Sequence, residues 1–353
     1  MISAKTQNAL FVTELGKPVT AGIREIPTPG EDEVLIKVTA TQLLPHDTYG
    51  RDMGLFFADH LPYVLGSNIA GTVQSPNPAY SLGTHIYGPG NPLSPVPNYS
   101  GLQEYALLTV SNSAPVPEGI RDEGAATLPI NAVTTFAALF HPNHLALPPP
   151  WSQEAVSFDY SKETLVVIGA GSNCGRLALQ FAKSVGIATI VAIASISNAK
   201  ELEELGASHV IDRYLSQEEI VERVWGIVGA EGVIKVLDCV SWTYELAVAL
   251  VLKDKKSWVA TLHQATTVAD ILEKEGKVKA VVKFVMGAVN SWGKEDSAAF
   301  WKWLGKVVGD GTVRLPKYRV IEGLDAEKIN EALDSYQDGS AVLQAVVRPG
   351  GKA

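Results

Sequence analysis

Cysteine is nearly absent. Only Cys174 and Cys239 occur in 353 residues, which excludes a disulfide framework and any cysteine-rich zinc site and fits a reducing compartment. No apolar run reaches the roughly 18 residues that a membrane-crossing helix needs, so no membrane partner is expected. The opening stretch MISAKTQNALFV lacks a charged segment leading into a long apolar one. No secretory signal is expected from it, and a cytoplasmic location is. A basic run is missing too: 29 Lys and Arg stand against 38 Asp and Glu, for a net charge of −9. That balance repels nucleic acid and anionic membrane, while leaving room for a local phosphate pocket. Neither an internal repeat nor a low-complexity segment occurs.

What is present is a chain of two characters. Its hydrophobic content of 46% and charged content of 19% describe a globular protein with ample core, and its length suggests two domains. The first third reads as short strands, such as EVLIKVTATQ and AGTVQS, punctuated by Pro27, Pro29, Gly30, Pro62, Gly66 and Gly71. Such a pattern predicts a compact antiparallel barrel or sandwich. DEGAATLPINAVTTFAALF reads as a helix, a break at Pro129 and a second helix. The following HPNHLALPPPWSQEAVSFDYSKE, with three consecutive prolines, reads as a surface excursion. Beyond it, apolar strands (TLVVIGA, TIVAIAS, HVID, GVIKVLDCV, SWVATL) alternate with helical stretches. Alternation of that kind predicts a parallel sheet covered on both faces. The terminal KINEALDSYQDGSAVLQAVVRP reads as helix, turn and strand, expected to return to the first domain.

Where TLVVIGA meets the next helix, the chain reads GAGSNCG. A strand feeding a tight turn into a helix gathers free backbone N–H groups and the positive helix end at one place, an anion site suited to a dinucleotide pyrophosphate. Gly169, Ala170, Gly171, Ser172 and Asn173 are small enough for a phosphate to approach the backbone. Cys174 stands where a glycine is usual and is expected to pack, and Gly175 allows helix and strand to close up. An ordinary strand-to-helix turn is the alternative. NAD sites commonly place a carboxylate at the end of the second strand to hold the ribose 2′-hydroxyl. Here that strand ends in Ser195, followed by Ile196, Ser197 and Asn198, with no acid. Ser195 and Asn198 can donate to a 2′-phosphate, and Lys200 or Arg213 can supply charge, so NADPH is expected. The competing reading makes Ser195 and Asn198 helix caps and Arg213 a solvated side chain.

These segments resemble the medium-chain dehydrogenase/reductase superfamily over nearly the whole chain. PGEDEVLIKVTATQLLPHDTYGRDMG is similar to its strand pair and following loop, and LPYVLGSNIAGTV and LGTHIYG to its GroES-like barrel. GAATLPINAVTTFAAL resembles the helix before the nucleotide fold, and GASHVID the third strand. Aligned on GRLALQFAK, the glycine turn falls with the quinone-reductase and enoyl-reductase branch. The resemblance implies an α/β chain: a GroES-like β-barrel catalytic domain over 1–125 and 266–353, and a Rossmann doubly wound parallel-sheet domain over 126–265. It also implies that the positions holding catalytic zinc in alcohol dehydrogenases are Leu44, Ser67 and approximately Ile130. Leucine and isoleucine cannot bind zinc; His141 and His144 lie in the proline-rich insert, and His46, His60 and His85 have no partner three or four residues away. No metal is expected.

Without a Lewis acid, the expected chemistry is hydride delivery to an electron-poor carbon, an enone, enoyl or quinone, with charge held by hydrogen bonds. The resemblance implies that Tyr49 faces the nicotinamide, unless its ring only packs, and that Thr134 contacts the nicotinamide ribose or carboxamide, unless it caps a helix. Asp47 is expected to order its loop. Cys239 and Val240, at a strand's carboxyl end, are expected to line the cleft. Phe300 and Trp303, three apart on a helix, would pair, and with Trp292 and Trp301 would wall an apolar substrate site or build core. The proline-rich insert is similar to that of trans-acting enoyl reductases serving fungal polyketide synthases, which would make such a carrier a partner. A metal-free carbonyl or alcohol oxidoreductase, and a cofactor-binding scaffold, stay open as alternatives, as do monomer and homodimer.

Overall fold

The computed structural model describes residues 5–229, 235–251, 257–263, 280–287, 293–337 and 343–351. Its contacts divide the chain into two compact units. One comprises Met1–Ile130, Val289–Gly311 and Leu315–Ala353; the other comprises Asn131–Ala288 and Thr312–Arg314.

The first unit is built on antiparallel pairing. Strand β1 (Thr6–Val12) lies between β2 (Thr20–Glu25) and β4 (Tyr63–Val64). The larger sheet is centred on β3 (Glu33–Gln42), which pairs with β5 (Asn68–Val73), β7 (Tyr105–Thr109) and β16 (Gln344–Arg348). Alternation explains β3: Val34, Ile36 and Val38 point inward against Ile69, Ile86 and Leu108, while Glu33, Leu35, Lys37 and Thr39 are less buried. β16 is thus the return of the C-terminal segment onto the first sheet, reached through the helix Ala326–Asp334.

One expectation needs correction in this unit, and one alternative is decided. The segment after β3 is not a loop but a nine-residue helix, α1 (Pro45–Met53). It lacks apolar periodicity, yet Pro45 starts it where a missing N–H costs nothing. The Asp47 carboxylate accepts the Leu44 N–H at 2.7 Å, and Gly54, at φ 72°, ends it. The aromatic run falls in the helix Lys294–Gly309, where Phe300 and Trp301 follow the core alternative rather than the substrate-wall one. Phe300 and Trp301 are buried, and the Trp301 indole donates to Asn112 Oδ1 at 3.2 Å. Phe300 and Trp303 do pair, with ring centroids 6.4 Å apart, and Trp292 lies outside the described residues.

In the second unit all strands run parallel, in the order β11 (His209–Asp212), β10 (Thr189–Ala194), β9 (Thr164–Ile168), β12 (Lys235–Asp238), β13 (Ser257–Thr261) and β14 (Ala280–Phe284). Numbered from β9, that order is 3-2-1-4-5-6, the arrangement in which dinucleotides bind beyond the strands' carboxyl ends. β9 and β10 are apolar and buried on both faces, as a covered parallel sheet requires. β14 is the sixth strand of this sheet, whereas residues after 265 are expected from sequence in the first domain; that boundary itself lies outside the described residues. The proline-rich insert runs over the surface for much of its length, with Val156 82% exposed, but it is anchored by buried side chains. Leu145 and Leu147 are buried, Trp151 stacks on Phe136 at 5.0 Å, and the Tyr160 hydroxyl donates to the Pro148 carbonyl at 2.6 Å. Among the described residues no helix is long and apolar enough to cross a membrane.

Candidate functional site

The glycine-rich turn lies at the carboxyl end of β9, the central strand. Gly169 adopts φ 74°, a conformation that favours glycine, and a Cβ there would come within 2.5 Å of the Val240 side chain. The Gly169 and Ala170 N–H groups are used, both donating to the Ile193 carbonyl, at 3.0 and 3.2 Å. Helix α4 (Asn173–Val185) then opens with Ser172 as its cap, whose hydroxyl accepts the Gly175 N–H at 3.1 Å. A Cβ on Gly175 would meet the Gly169 carbonyl oxygen at 2.5 Å, so only glycine lets the helix start this close to the turn. At Gly171 the space is freer: the nearest atom to a built Cβ is Asn198 Nδ2, at 3.4 Å. Backbone is therefore approachable at the helix start, and the turn fits a pyrophosphate. Cys174 packs as expected. Its Sγ lies 3.8 Å from the Asn131 carbonyl oxygen, and burial pushes its thiol up to about 11.

At the end of β10 the capping alternative fails. Neither Ser195 nor Asn198 makes a side-chain cap hydrogen bond. Ser195 Oγ instead lies 2.9 Å from Ser197 Oγ, so two hydroxyls share one short turn. Arg213, at the end of the neighbouring strand, donates to the Tyr214 hydroxyl at 2.7 Å and lies 4.7 Å from the centre of that ring. Lys200 is exposed on the helix Ala199–Leu205 that begins after this turn. Two residues here escaped sequence reasoning. Tyr214, 72% exposed, is a flat aromatic surface beside a cation, and its only signal is its place after Arg213. Arg176 binds the Gly171 carbonyl at 3.0 Å and Glu201 at 2.7 Å, joining the phosphate turn to the next helix.

The remaining sequence candidates of this unit divide by burial. Cys239 does not line an open surface: it is buried, its N–H donates to the Ile168 carbonyl at 3.0 Å, and desolvation drives its thiol well above the ordinary range. Val240 is the accessible one, 45% exposed and against Gly169. Thr134 lies within the helix Pro129–Phe140, so it is no cap. It abuts Gly287, where a Cβ would clash with its hydroxyl oxygen. Thr135 is fully buried and donates to the Cys174 carbonyl at 3.3 Å.

In the first unit, α1 turns Asp47, Thr48, Gly50 and Arg51 inward. His46 and Tyr49, one turn apart, lie on its more open side. Asp47 does order the segment: it accepts the Leu44 N–H at 2.7 Å with one oxygen and the Gly66 N–H at 3.0 Å with the other. Burial raises its carboxyl, opposed by His46 and by these two N–H groups. Leu44 is buried, and Ser67 Oγ lies 3.2 Å from His46 Nε2. His46, Phe56, Phe57, Leu65 and Ser67 line one pocket. Among the described residues no group of three or more His, Cys, Asp or Glu side chains is placed to hold a metal.

Comparison with known proteins bears on both units. Residues 30–118 match the alcohol dehydrogenase GroES-like domain, and residues 174–294 match the zinc-binding dehydrogenase family. A trans-enoyl reductase of Aspergillus terreus is 28% identical over 240 residues, covering 64% of this chain and 74% of the relative. The crystal structure of the CurK enoyl reductase superposes with a TM-score of 0.78 at 20% identity, over 97% of this chain and 99% of that one. A mycobacterial protein solved in complex with NADPH gives a TM-score of 0.75 at 22% identity, over 97% and 100% of the two chains.

Proposed function

Because this chain belongs to the medium-chain dehydrogenase/reductase superfamily, a family of oxidoreductases with a GroES-like domain and a Rossmann-type domain, we propose that it is an NADPH-dependent, zinc-independent reductase of an activated C=C bond or a quinone. The observation that carries the cofactor choice is the end of β10. Ser195, Ser197 and Asn198 stand there, Arg213 and Tyr214 follow directly on the end of the next strand, and no carboxylate occupies the end of β10 to repel a 2′-phosphate. The NADPH complex of the mycobacterial neighbour supports the same choice.

Bound at the phosphate turn, the nicotinamide cofactor supplies a hydride. Around it, Gly169, Ala170, Gly171, Ser172 and Asn173 shape the turn that takes the pyrophosphate, Gly175 sets the helix close behind, and Val240 and Thr134 are the side chains offered to the nicotinamide half. Leu44, in the place of a zinc-binding cysteine, offers no lone pair. The substrate is therefore one that spreads its own charge, a conjugated carbonyl, and Tyr49 steadies the developing enolate oxygen with its phenol. Similarity to a trans-enoyl reductase supports an enoyl substrate.

Steady-state oxidation of NADPH with enones and quinones, set against simple aldehydes and alcohols, tests this directly. Faster reduction of the conjugated substrates is expected. Faster turnover of plain carbonyls or alcohols would replace the reading with a metal-free carbonyl/alcohol oxidoreductase. Nucleotide binding without turnover on any of them would make the chain a cofactor-binding scaffold.

A further inference from the structure

The pocket of the first unit holds a polar pair that the proposed reaction has not yet used. His46 Nε2 and Ser67 Oγ lie 3.2 Å apart. The rest of the nearby lining is largely apolar, with Leu55, Phe56, Phe57 and Leu65. Phe56 sits at φ 76°, a conformation a phenylalanine rarely adopts, with its ring edge-on to the His46 ring at 6.3 Å. The Asp47 carboxylate is buried beneath, 4.0 Å from His46 Nε2. Both its oxygens already accept backbone N–H groups, so they are spent on ordering this segment.

We infer that His46 and Ser67 form an oxyanion-binding, proton-donating pair, and that this pocket takes the carbonyl oxygen of the substrate. The inference rests on the reductase reading for its reaction, whereas the anion site itself does not. A hydroxyl has one hydrogen to donate and two lone pairs. When Nε2–H donates to Ser67 Oγ, the serine hydrogen is free for a third atom, and the apolar walls strengthen any bond it makes to an anion. Once hydride has reached the β-carbon of an enone, the π electrons of the C=C bond move to make the enolate, with its charge on the former carbonyl oxygen. The Ser67 proton passes to that oxygen, and the His46 proton refills Ser67. The enol then takes a proton from water at the α-carbon and releases its hydroxyl proton, and water reprotonates His46. In total one hydride and one proton are consumed per substrate. A nucleophilic serine would need the carboxylate on the opposite ring nitrogen. Here Asp47 lies against the same nitrogen that faces Ser67, which favours a donor over a nucleophile.

The test uses 4-nitrophenol, whose ionised form has its own absorption band and whose phenolate oxygen resembles an enolate oxygen. It is titrated onto the NADP⁺-loaded protein and the nucleotide-free protein, in the wild type and in Ser67→Ala and His46→Gln. The wild type is expected to hold it as the phenolate. Each variant should bind it at least about tenfold more weakly, the loss typical of a hydrogen bond to a charged group, with NADPH affinity unchanged within about twofold. Ser67→Ala removes one oxygen, so it guards against a folding defect in His46→Gln. No phenolate binding in the wild type, or equal binding in both variants, overturns the inference. Enone turnover is read in parallel and separates the two ideas. If phenolate binding depends on the pair while no enone is reduced, the reductase reading falls and the anion site stands. If enones are reduced equally well by Ser67→Ala, the proton-donating role falls and the reductase reading stands.

Discussion

At the scale of single residues, the cofactor choice turns on Arg213. Its guanidinium is exposed and held by the Tyr214 hydroxyl at 2.7 Å, so it is pre-positioned rather than free to sample many rotamers. Losing a charge-assisted hydrogen bond to a phosphate costs roughly 1.5–3 kcal/mol. Arg213→Ala is therefore expected to weaken NADPH binding by about one to two decades and to leave NADH nearly unchanged. Fluorescence titration with both nucleotides measures this, and equal losses for the two would remove Arg213 from the 2′-phosphate site. Tyr49 invites a second residue-scale prediction. Tyr49→Phe keeps the ring, so nucleotide affinity should hold, while enone turnover drops about 10-fold to 100-fold, less than a fully preorganised donor gives. Full-rate turnover in this variant would reduce Tyr49 to a wall of the site.

At the scale of elements, helix α4 joins stability to binding. Ser172 caps it through Gly175 N–H, and the same helix start faces the space where the pyrophosphate would sit. Ser172→Ala should cost about 1 kcal/mol of stability and also weaken NADPH, because the helix's first turn frays. Denaturant unfolding and nucleotide titration on one sample would show both effects. A stability loss with unaltered nucleotide affinity would place the phosphate elsewhere. Gly175→Ala is harsher: its Cβ would meet the Gly169 carbonyl oxygen at 2.5 Å, so turn and helix must separate and nucleotide affinity should be lost. Helix α1 shows the opposite kind of element. No periodicity announced it, because its inward residues are Asp47, Thr48, Gly50 and Arg51, a set whose burial only makes sense with their partners in place. Arg51, for instance, pairs with Asp334 at 2.6 Å, a residue nearly the whole chain away.

At the scale of the whole molecule, zinc is the sharpest question, since one of the matching family models is named for it. With Leu44 and Ser67 at the ligand positions that the resemblance implies, the purified protein should carry no stoichiometric zinc, and chelators should leave its turnover intact. Elemental analysis finding one tightly bound zinc per chain would sink the zinc-independent mechanism. Saturating NADPH, by contrast, should raise the thermal midpoint, since a ligand that binds only the folded state stabilises it, by about 2.7 kcal/mol at one hundred times its Kd.

Local and periodic properties were legible without coordinates. The parallel strands could be read because a strand buried on both faces is continuously apolar, as Leu165 to Ile168 are. The phosphate turn could be read because only small residues tolerate its backbone geometry. The missing acid after Ala194 could be read because a single position in the strand-end grammar decides it. Tertiary structure alone decided what depends on distant partners. His46 looked like one scattered histidine until β5's approach brought Ser67 to its Nε2. Trp301 could be read as cleft wall or as core, and only its contacts with Asn112 and Tyr87 place it in the core. The Thr135 hydroxyl's bond to the Cys174 carbonyl is likewise a contact across 39 residues of chain. Backbone conformation and hydrophobic period are encoded within a few neighbouring residues, whereas a hydrogen bond between side chains far apart in the chain exists only once the fold has brought them together.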